Sequence, residues 1–183
     1  MDAKEISLKM CNEVCEALNA IDNTQASKMI RVILTSERIF VAGTGRSSLA
    51  GKFFAHRLVD LAFDAYVVGE TITPSARVTD CIIGISGSGG TTYTLNALER
   101  GRKVGAKLIG ITSYPESTLG KMVDTIIIIP GREIREKNHQ DYLVRQIRGS
   151  MEDLDSKSGV FEIACGIFFE SIIHTLNQKV KKG

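Results

Sequence analysis

None of the four cysteines in this 183-residue chain forms a CxxC pair, and nothing near Cys11 and Cys15 offers the two further ligands that a zinc ion needs. Cys11, Cys15, Cys81 and Cys165 fall inside periodic apolar segments, so reduced, buried thiols are expected. The N-terminus lacks the unbroken apolar stretch of a secretory signal, because Lys4, Lys9 and Glu13 interrupt it. No strongly apolar run approaches the length of a membrane span, the longest being Ile126 to Ile129. A charge excess is missing as well. The formal net charge is +2, and Lys179, Lys181 and Lys182 supply more than that from the C-terminal tail, which excludes a broad basic groove for nucleic acid. Internal repeats and low-complexity tracts are absent. These absences point to a soluble, cytoplasmic protein without a membrane or nucleic-acid partner.

What is present is ordinary globular composition, 43% hydrophobic and 24% charged, in a chain long enough for one domain with a sizeable core. Ile6, Met10, Val14 and Leu18 recur at four-residue spacing and predict an amphipathic helix over 3–19. A second helix over 24–34 completes an N-terminal helical region within 1–36. Short apolar segments at 38–42, 65–68, 81–85, 107–112 and 124–129 read as buried strands, with helices over 48–62 and 91–104 between them. This alternation predicts an α/β fold, a five-stranded parallel sheet between helical layers. A densely charged connection over 130–157 follows, with Tyr142, Leu143 and Ile147 able to seed a short helix. A long apolar helix is expected over 158–180.

In parallel sheets ligands bind beyond the carboxyl ends of the strands, so the loops there carry the chemistry. The third strand runs directly into Ser86-Gly87-Ser88-Gly89-Gly90-Thr91. Glycines let such a loop fold around a small anion, and hydroxyls with the free amides of the next helix donate to it. Donors to a charged acceptor form strong hydrogen bonds, so no lysine is required. The same six residues also suit a glycine turn with an N-cap that serves only the fold, and the loop alone does not choose. The first strand ends similarly in Gly43-Thr44-Gly45-Arg46-Ser47-Ser48. There Ser48 replaces the third glycine of a dinucleotide fingerprint, and Glu70 comes later than its acidic residue should. Neither loop ends in the Gly-Lys-Ser/Thr of a nucleotide-binding P-loop.

These loops resemble those of the sugar isomerase (SIS) domain family, whose phosphate loop reads S-x-S-G-x-T and whose partner loop matches Gly45-Arg46-Ser47. Phe54-Ala55-His56-Arg57-Leu58 and the segment from Val68 to Ser75 (VGETITPS) resemble 6-phospho-3-hexuloisomerases in particular, as do Pro115-Glu116-Ser117 and the stretch from Asp124 to Pro130. The resemblance implies a three-layer αβα sandwich of flavodoxin-like type. It implies phosphate contacts from Ser47, Ser86, Ser88 and Thr91, with Gly45, Arg46 and Gly87 beside them. It also implies an isomerase that works through an enediol without metal or organic cofactor, interconverting 3-hexulose 6-phosphate and fructose 6-phosphate. Homodimers or homotetramers are expected, with the 3–19 helix as the candidate interface.

Moving a carbonyl between adjacent carbons needs a base. Glu162 is the candidate, because Phe161-Glu162 matches the Phe-Glu pair that opens the last helix in hexuloisomerases. Complementing the helix dipole is its ordinary alternative role. The chain departs from the family at Asp60, where a histidine is usual, in the loop Ser156 to Gly159, and in its tail, where the family's histidine has no counterpart. His56, one turn before Asp60, is the candidate replacement imidazole. His139 and His174 are expected to be structural or solvated, while Arg132, Arg135, Arg145 and Arg148 add positive charge to the connection. A non-catalytic SIS module that binds a sugar phosphate as a sensor is the alternative reading.

Overall fold

The computed structural model of the chain describes residues 2–131, 147 and 159–181. In order they form α1 (Ala3–Asn19), α2 (Asn23–Leu34), β1 (Arg38–Ala42), α3 (Gly45–Asp60), β2 (Asp64–Val67), β3 (Cys81–Ile85), α4 (Thr92–Val104), β4 (Lys107–Thr112), α5 (Thr118–Met122), β5 (Thr125–Ile128) and α6 (Val160–Val180). The five strands make one parallel sheet of order β2-β1-β3-β4-β5. Residues 132–146 and 148–158, which hold most of the charged connection and, with Tyr142 and Leu143, two of the three residues of its candidate helix seed, lie outside the described residues.

Successive side chains of a strand point to opposite faces, and here that alternation builds two cores. Ile39, Val41, Ile83, Ile85, Ile109, Ile111 and Ile127 face a large core shared with α1, α2, α3 and α6. Phe40, Ile82 and Leu108 face a smaller one with Leu98 of α4 and Leu119 of α5. The smaller layer sits close to the strands. A Cβ at Gly84 would stand 2.7 Å from a Leu98 methyl, and one at Gly110 would overlap Leu119. The glycines are therefore what lets α4 and α5 approach.

Helix α6 is long and apolar enough to cross a membrane by length and composition alone. Its position is in the core instead. Phe161, Phe168, Phe169, Ile172 and Leu176 are buried, and Phe169 stacks on Phe54 of α3 with ring centroids 4.3 Å apart. At one sheet edge, Gln25 of α2 accepts a hydrogen bond through Oε1 from the Ile128 amide of β5, at 3.3 Å.

The connection from β2 to β3, residues 68–80, holds no helix. Polar contacts hold it where a helix would pack. Tyr93 Oη donates to the Val68 carbonyl at 2.6 Å, and Thr73 Oγ1 to the Val67 carbonyl at 2.6 Å. At the far end, fully buried Asp80 accepts from Arg38 Nε at 3.2 Å and Nη2 at 2.8 Å, and from the Arg77 amide at 2.6 Å. This bidentate partner raises the Arg38 pKa further.

One expectation is corrected here. Cys81 and Cys165 are buried, but Cys11 and Cys15 are exposed. Helix α1 buries only Val14 and Ala17, with Leu18 packed partly buried against the same core, while Ile6 and Leu8 remain exposed. Burial pushes the Cys81 thiol up to about 12, and raises Cys165 well above the ordinary thiol range, with the charge of Glu162 adding to the effect. A thiol reagent should thus modify Cys11 and Cys15 in the native protein and reach Cys81 and Cys165 only after denaturation. Peptide mapping of the labelled sites checks this, and native labelling of Cys165 would contradict the packing of α6.

Candidate functional site

Strands β1 and β3 are neighbours in register, with Ala42 opposite Gly84. Their chains leave for opposite faces, α3 in the large layer and α4 in the small one. In an open sheet that reversal of direction leaves a crevice beyond the strand ends. The loops singled out in the sequence, 43–48 and 86–91, lie there.

The 86–91 loop is held from behind. The Ser86 amide donates to Ile111 and the Gly89 amide to the Ser86 carbonyl, while Gly87 O accepts from the Ser113 amide at 3.1 Å and from Thr112 Oγ1 at 3.3 Å. Gly89 O accepts from the Leu119 amide. Gly89 has φ +65°, and a Cβ there would overlap the Ser117 side chain, so only glycine fits. Thr112, Ser113 and Ser117 escaped the sequence reading as supports. Their one sequence signal is a polar segment at the end of a third buried strand.

The hydroxyls differ in availability. Ser86 is buried, its Oγ 2.9 Å from Thr91 Oγ1, and it accepts from the Gly89 amide at 3.1 Å. Thr91 is half-buried and Ser88 exposed, with Ser88 Oγ accepting from the Gly90 amide at 3.4 Å. In the facing loop Ser47 is buried at the first turn of α3, and Gly45 has φ +55°.

Helix capping separates the elements at this crevice from the rest. α1, α2 and α5 have side-chain N-caps from Asp2, Asp22 and Ser117. α3, α4 and α6, with Thr44, Thr91 and Gly159 at the N-cap, have none. Unmet amides at a helix N-terminus carry partial positive charge and favour an anion. Thr91 sits where an N-cap should be, yet its side chain does not cap α4.

The uncapped ends of α3 and α6 meet in a pair of charges. Arg46 Nε in the first turn of α3 lies 3.6 Å from Glu162 Oε2 in the first turn of α6, residues 116 positions apart in sequence. Glu162 is 12% exposed and Arg46 41%. Buried Cys165 lies one turn below the carboxylate as a neutral thiol. A second ion pair, Lys52 Nζ to Glu70 Oε1 at 2.6 Å, ties α3 to the turn after β2.

His56 lies elsewhere. It is eleven residues beyond Gly45, about 16 Å along the helix axis at 1.5 Å per residue. Its side chain is 75% exposed with Nδ1 3.6 Å from Asp60 Oδ2. Asp60 itself accepts from Arg57 Nη1 at 2.6 Å, while Arg57 Nε donates to Glu170 at 2.7 Å. That guanidinium holds the Glu170 carboxyl below the usual range. Within one chain, therefore, Gly45, Arg46, Ser47, Ser86, Gly87, Ser88, Thr91 and Glu162 gather at the crevice, and His56 does not. His174 is exposed near the end of α6. Among the described residues no cluster of three or more histidine, cysteine or acidic side chains could hold a metal ion.

The SIS domain model matches residues 33–142. A protein of Aeropyrum pernix is 39% identical over 176 residues, 94% of this chain and 81% of its own. The 3-hexulose-6-phosphate isomerase of Bacillus subtilis is 32% identical over 179 residues, 98% of this chain and 91% of that protein. The crystal structure of a hypothetical protein from Methanococcus jannaschii, which was taken to imply 3-hexulose-6-phosphate isomerase function, superposes with a TM-score of 0.72 at 27% identity, covering 94% of this chain and 89% of that one.

The support behind the 86–91 loop is testable without any ligand. Gly89→Ala should cost about 1 to 3 kcal/mol from the left-handed backbone alone, and more through the overlap with Ser117. Adding Ser117→Gly should recover the second part only. Urea denaturation of the single and double variants measures both, and a neutral Gly89→Ala would contradict this geometry.

Proposed function

Since this chain belongs to the SIS domain family, we propose that it is a sugar-phosphate isomerase, and that its substrate pair is 3-hexulose 6-phosphate and fructose 6-phosphate. The observation that carries the reading is the shared lack of side-chain caps on α3, α4 and α6, together with the cation and carboxylate that pair between the first turns of α3 and α6. The names of relatives at 32% identity and above supply the substrate.

In this reading the phosphate lies in the 86–91 loop. The amides of the first turn of α4 and the hydroxyls of Ser88 and Thr91 donate to its oxygens, Ser86 fixes Thr91, and Ser47 donates from the facing loop. Anchoring one end of the sugar brings C2 and C3 to the Arg46 and Glu162 side. Glu162 takes the proton from C3 of the 2-ketose as the C2 carbonyl oxygen accepts the proton of the C3 hydroxyl. The product is a C2–C3 enediolate, protonated on O2 and negatively charged on O3. Return of the carbon-bound proton from Glu162 to C2 re-forms a carbonyl at C3, with no net change of oxidation state. Arg46 lies beside the base, where its fixed positive charge stabilises negative charge that develops on the two oxygens. The route requires a base, an electrophile and an anion anchor, and this chain's own side chains provide all three.

Two variants test the division of labour. Ser88→Ala should weaken fructose 6-phosphate binding by about 1.5 to 3 kcal/mol, the usual value of a hydrogen bond to a charged group, while leaving stability unchanged. An unaltered Kd in calorimetry would remove Ser88 from the cradle.

Glu162→Gln keeps the volume and removes the proton acceptor. Exchange of the C3 proton of fructose 6-phosphate with solvent, followed by NMR, should fall by about 10² to 10⁴, with affinity little changed. Undiminished exchange would reduce Glu162 to a helix-dipole role. Binding by the wild-type protein with no exchange at any carbon would replace the isomerase with a sensor.

A further inference from the structure

The two helices that follow the glycine-rich loops lie on opposite faces of the sheet, α3 in the large layer and α4 in the small one. The sheet is not their only connection. Strand β1 stands between β2 and β3, so the turn after β2 lies beside the exit of β1. The pairing continues past the strand end, since the Val68 amide donates to the Val41 carbonyl at 2.9 Å, which brings this turn to the level of Gly43, where the 43–48 loop begins. Both helices take hold of the turn. From α4, Tyr93 Oη donates to the Val68 carbonyl at 2.6 Å. From α3, Lys52 Nζ lies 2.6 Å from Glu70 Oε1.

Between these two grips the backbone is fixed. The Glu70 amide donates to the Val67 carbonyl at 3.2 Å, and the Glu70 carbonyl accepts from the Thr73 amide at 3.1 Å. Thr73 Oγ1 donates to the Val67 carbonyl at 2.6 Å. Gly69 has φ +93°, and a Cβ there would overlap the Tyr93 hydroxyl, so glycine is what lets Tyr93 reach the turn. Tyr93 is the second residue of α4, in the turn whose amides border the crevice. Its side chain therefore starts at the helix that follows β3 and ends at the exit of β2, strands that lie two spacings apart, about 9 to 10 Å.

We propose that Val68 to Glu70 form a clasp between α3 and α4, and that Tyr93 and Lys52 are positioning residues that set the separation of the 43–48 and 86–91 loops. What spans that separation rests on the isomerase reading: a sugar phosphate with its phosphate at 86–91 and its carbonyl end at Arg46 and Glu162. The clasp distinguishes ligands by reach. Inorganic phosphate meets the 86–91 loop alone, which the β4 exit supports from behind, so its affinity does not depend on the separation. A sugar phosphate meets both loops, and its affinity does.

Tyr93→Phe removes one hydroxyl, keeps the ring and changes no charge. By calorimetry the Kd of fructose 6-phosphate should rise about two- to tenfold, the loss of one ordinary hydrogen bond, while the Kd of inorganic phosphate stays unchanged. Glu70→Gln is an independent check, because its electrostatic effect has the opposite sign. Removing a negative charge near the site favours any anion, whereas opening the clasp weakens only the ligand that spans both loops, so the Kd of fructose 6-phosphate should rise without a rise for phosphate. Equal losses for the two ligands in Tyr93→Phe would overturn the proposal, as would no loss for either, or a tighter fructose 6-phosphate complex in Glu70→Gln. Solvent exchange at C3 separates this outcome from the isomerase reading. The ligand distinction without exchange in the wild type would retain the clasp and end the isomerase, exchange without the distinction would do the reverse, and a wild type that binds neither ligand would end both.

Discussion

The arrangement depends on one constraint, the adjacency of β1 and β3 in a parallel sheet. Strands in register must end at the same height, so the loops that follow them face one another across less than a strand spacing or two. The chain after β1 turns toward the large core and the chain after β3 toward the small one. Two helix N-termini then border one crevice without either blocking the other. The two glycine-rich loops are hung on these exits, and α6 adds the Glu162 carboxylate from a third direction.

Rigidity at that crevice comes from the neighbouring strand. The β4 exit, Thr112 to Leu119, bonds to the carbonyls of Gly87 and Gly89 and packs against Gly89 so closely that a methyl group would not fit. The carbonyls of the loop are thus engaged at the rear, and its front is left to amides and hydroxyls. A loop prepared in this way does not have to be ordered by its ligand. The clamp of Arg38, Arg77 and Asp80 does similar work at the other end of the sheet, where the helix-free crossover re-enters at β3.

How much of this was legible in the sequence varied with the kind of interaction. β1, β3 and β4 fall where the apolar runs predicted, because strands buried on both faces leave unbroken apolar segments. The start of α3 was read three residues late. Gly45-Arg46-Ser47 looks like loop by composition, yet it already forms the first helical turn. α5 went unread because five residues are too few to show a period. The thiols of α1 were misplaced for a different reason. Periodicity reveals which residues share a stripe, but not how much of that stripe meets a partner, and α1 buries only Val14 and Ala17. The loops were legible because glycine and serine have a local meaning between strand and helix. The approach of Arg46 to Glu162 was not, since only tertiary packing sets it.

Helix α6 covers the large core, yet every strand of the sheet precedes it in the chain. A nascent chain that has emerged only as far as β5 therefore holds Val41, Ile83, Ile85 and Ile111 without their lid of Phe161, Phe168 and Phe169. Until the final helix arrives, the intermediate is a half-covered sheet with the adhesive properties that such surfaces have. The same arrival delivers Glu162. Packing of the final helix and formation of the Arg46–Glu162 ion pair are therefore one event.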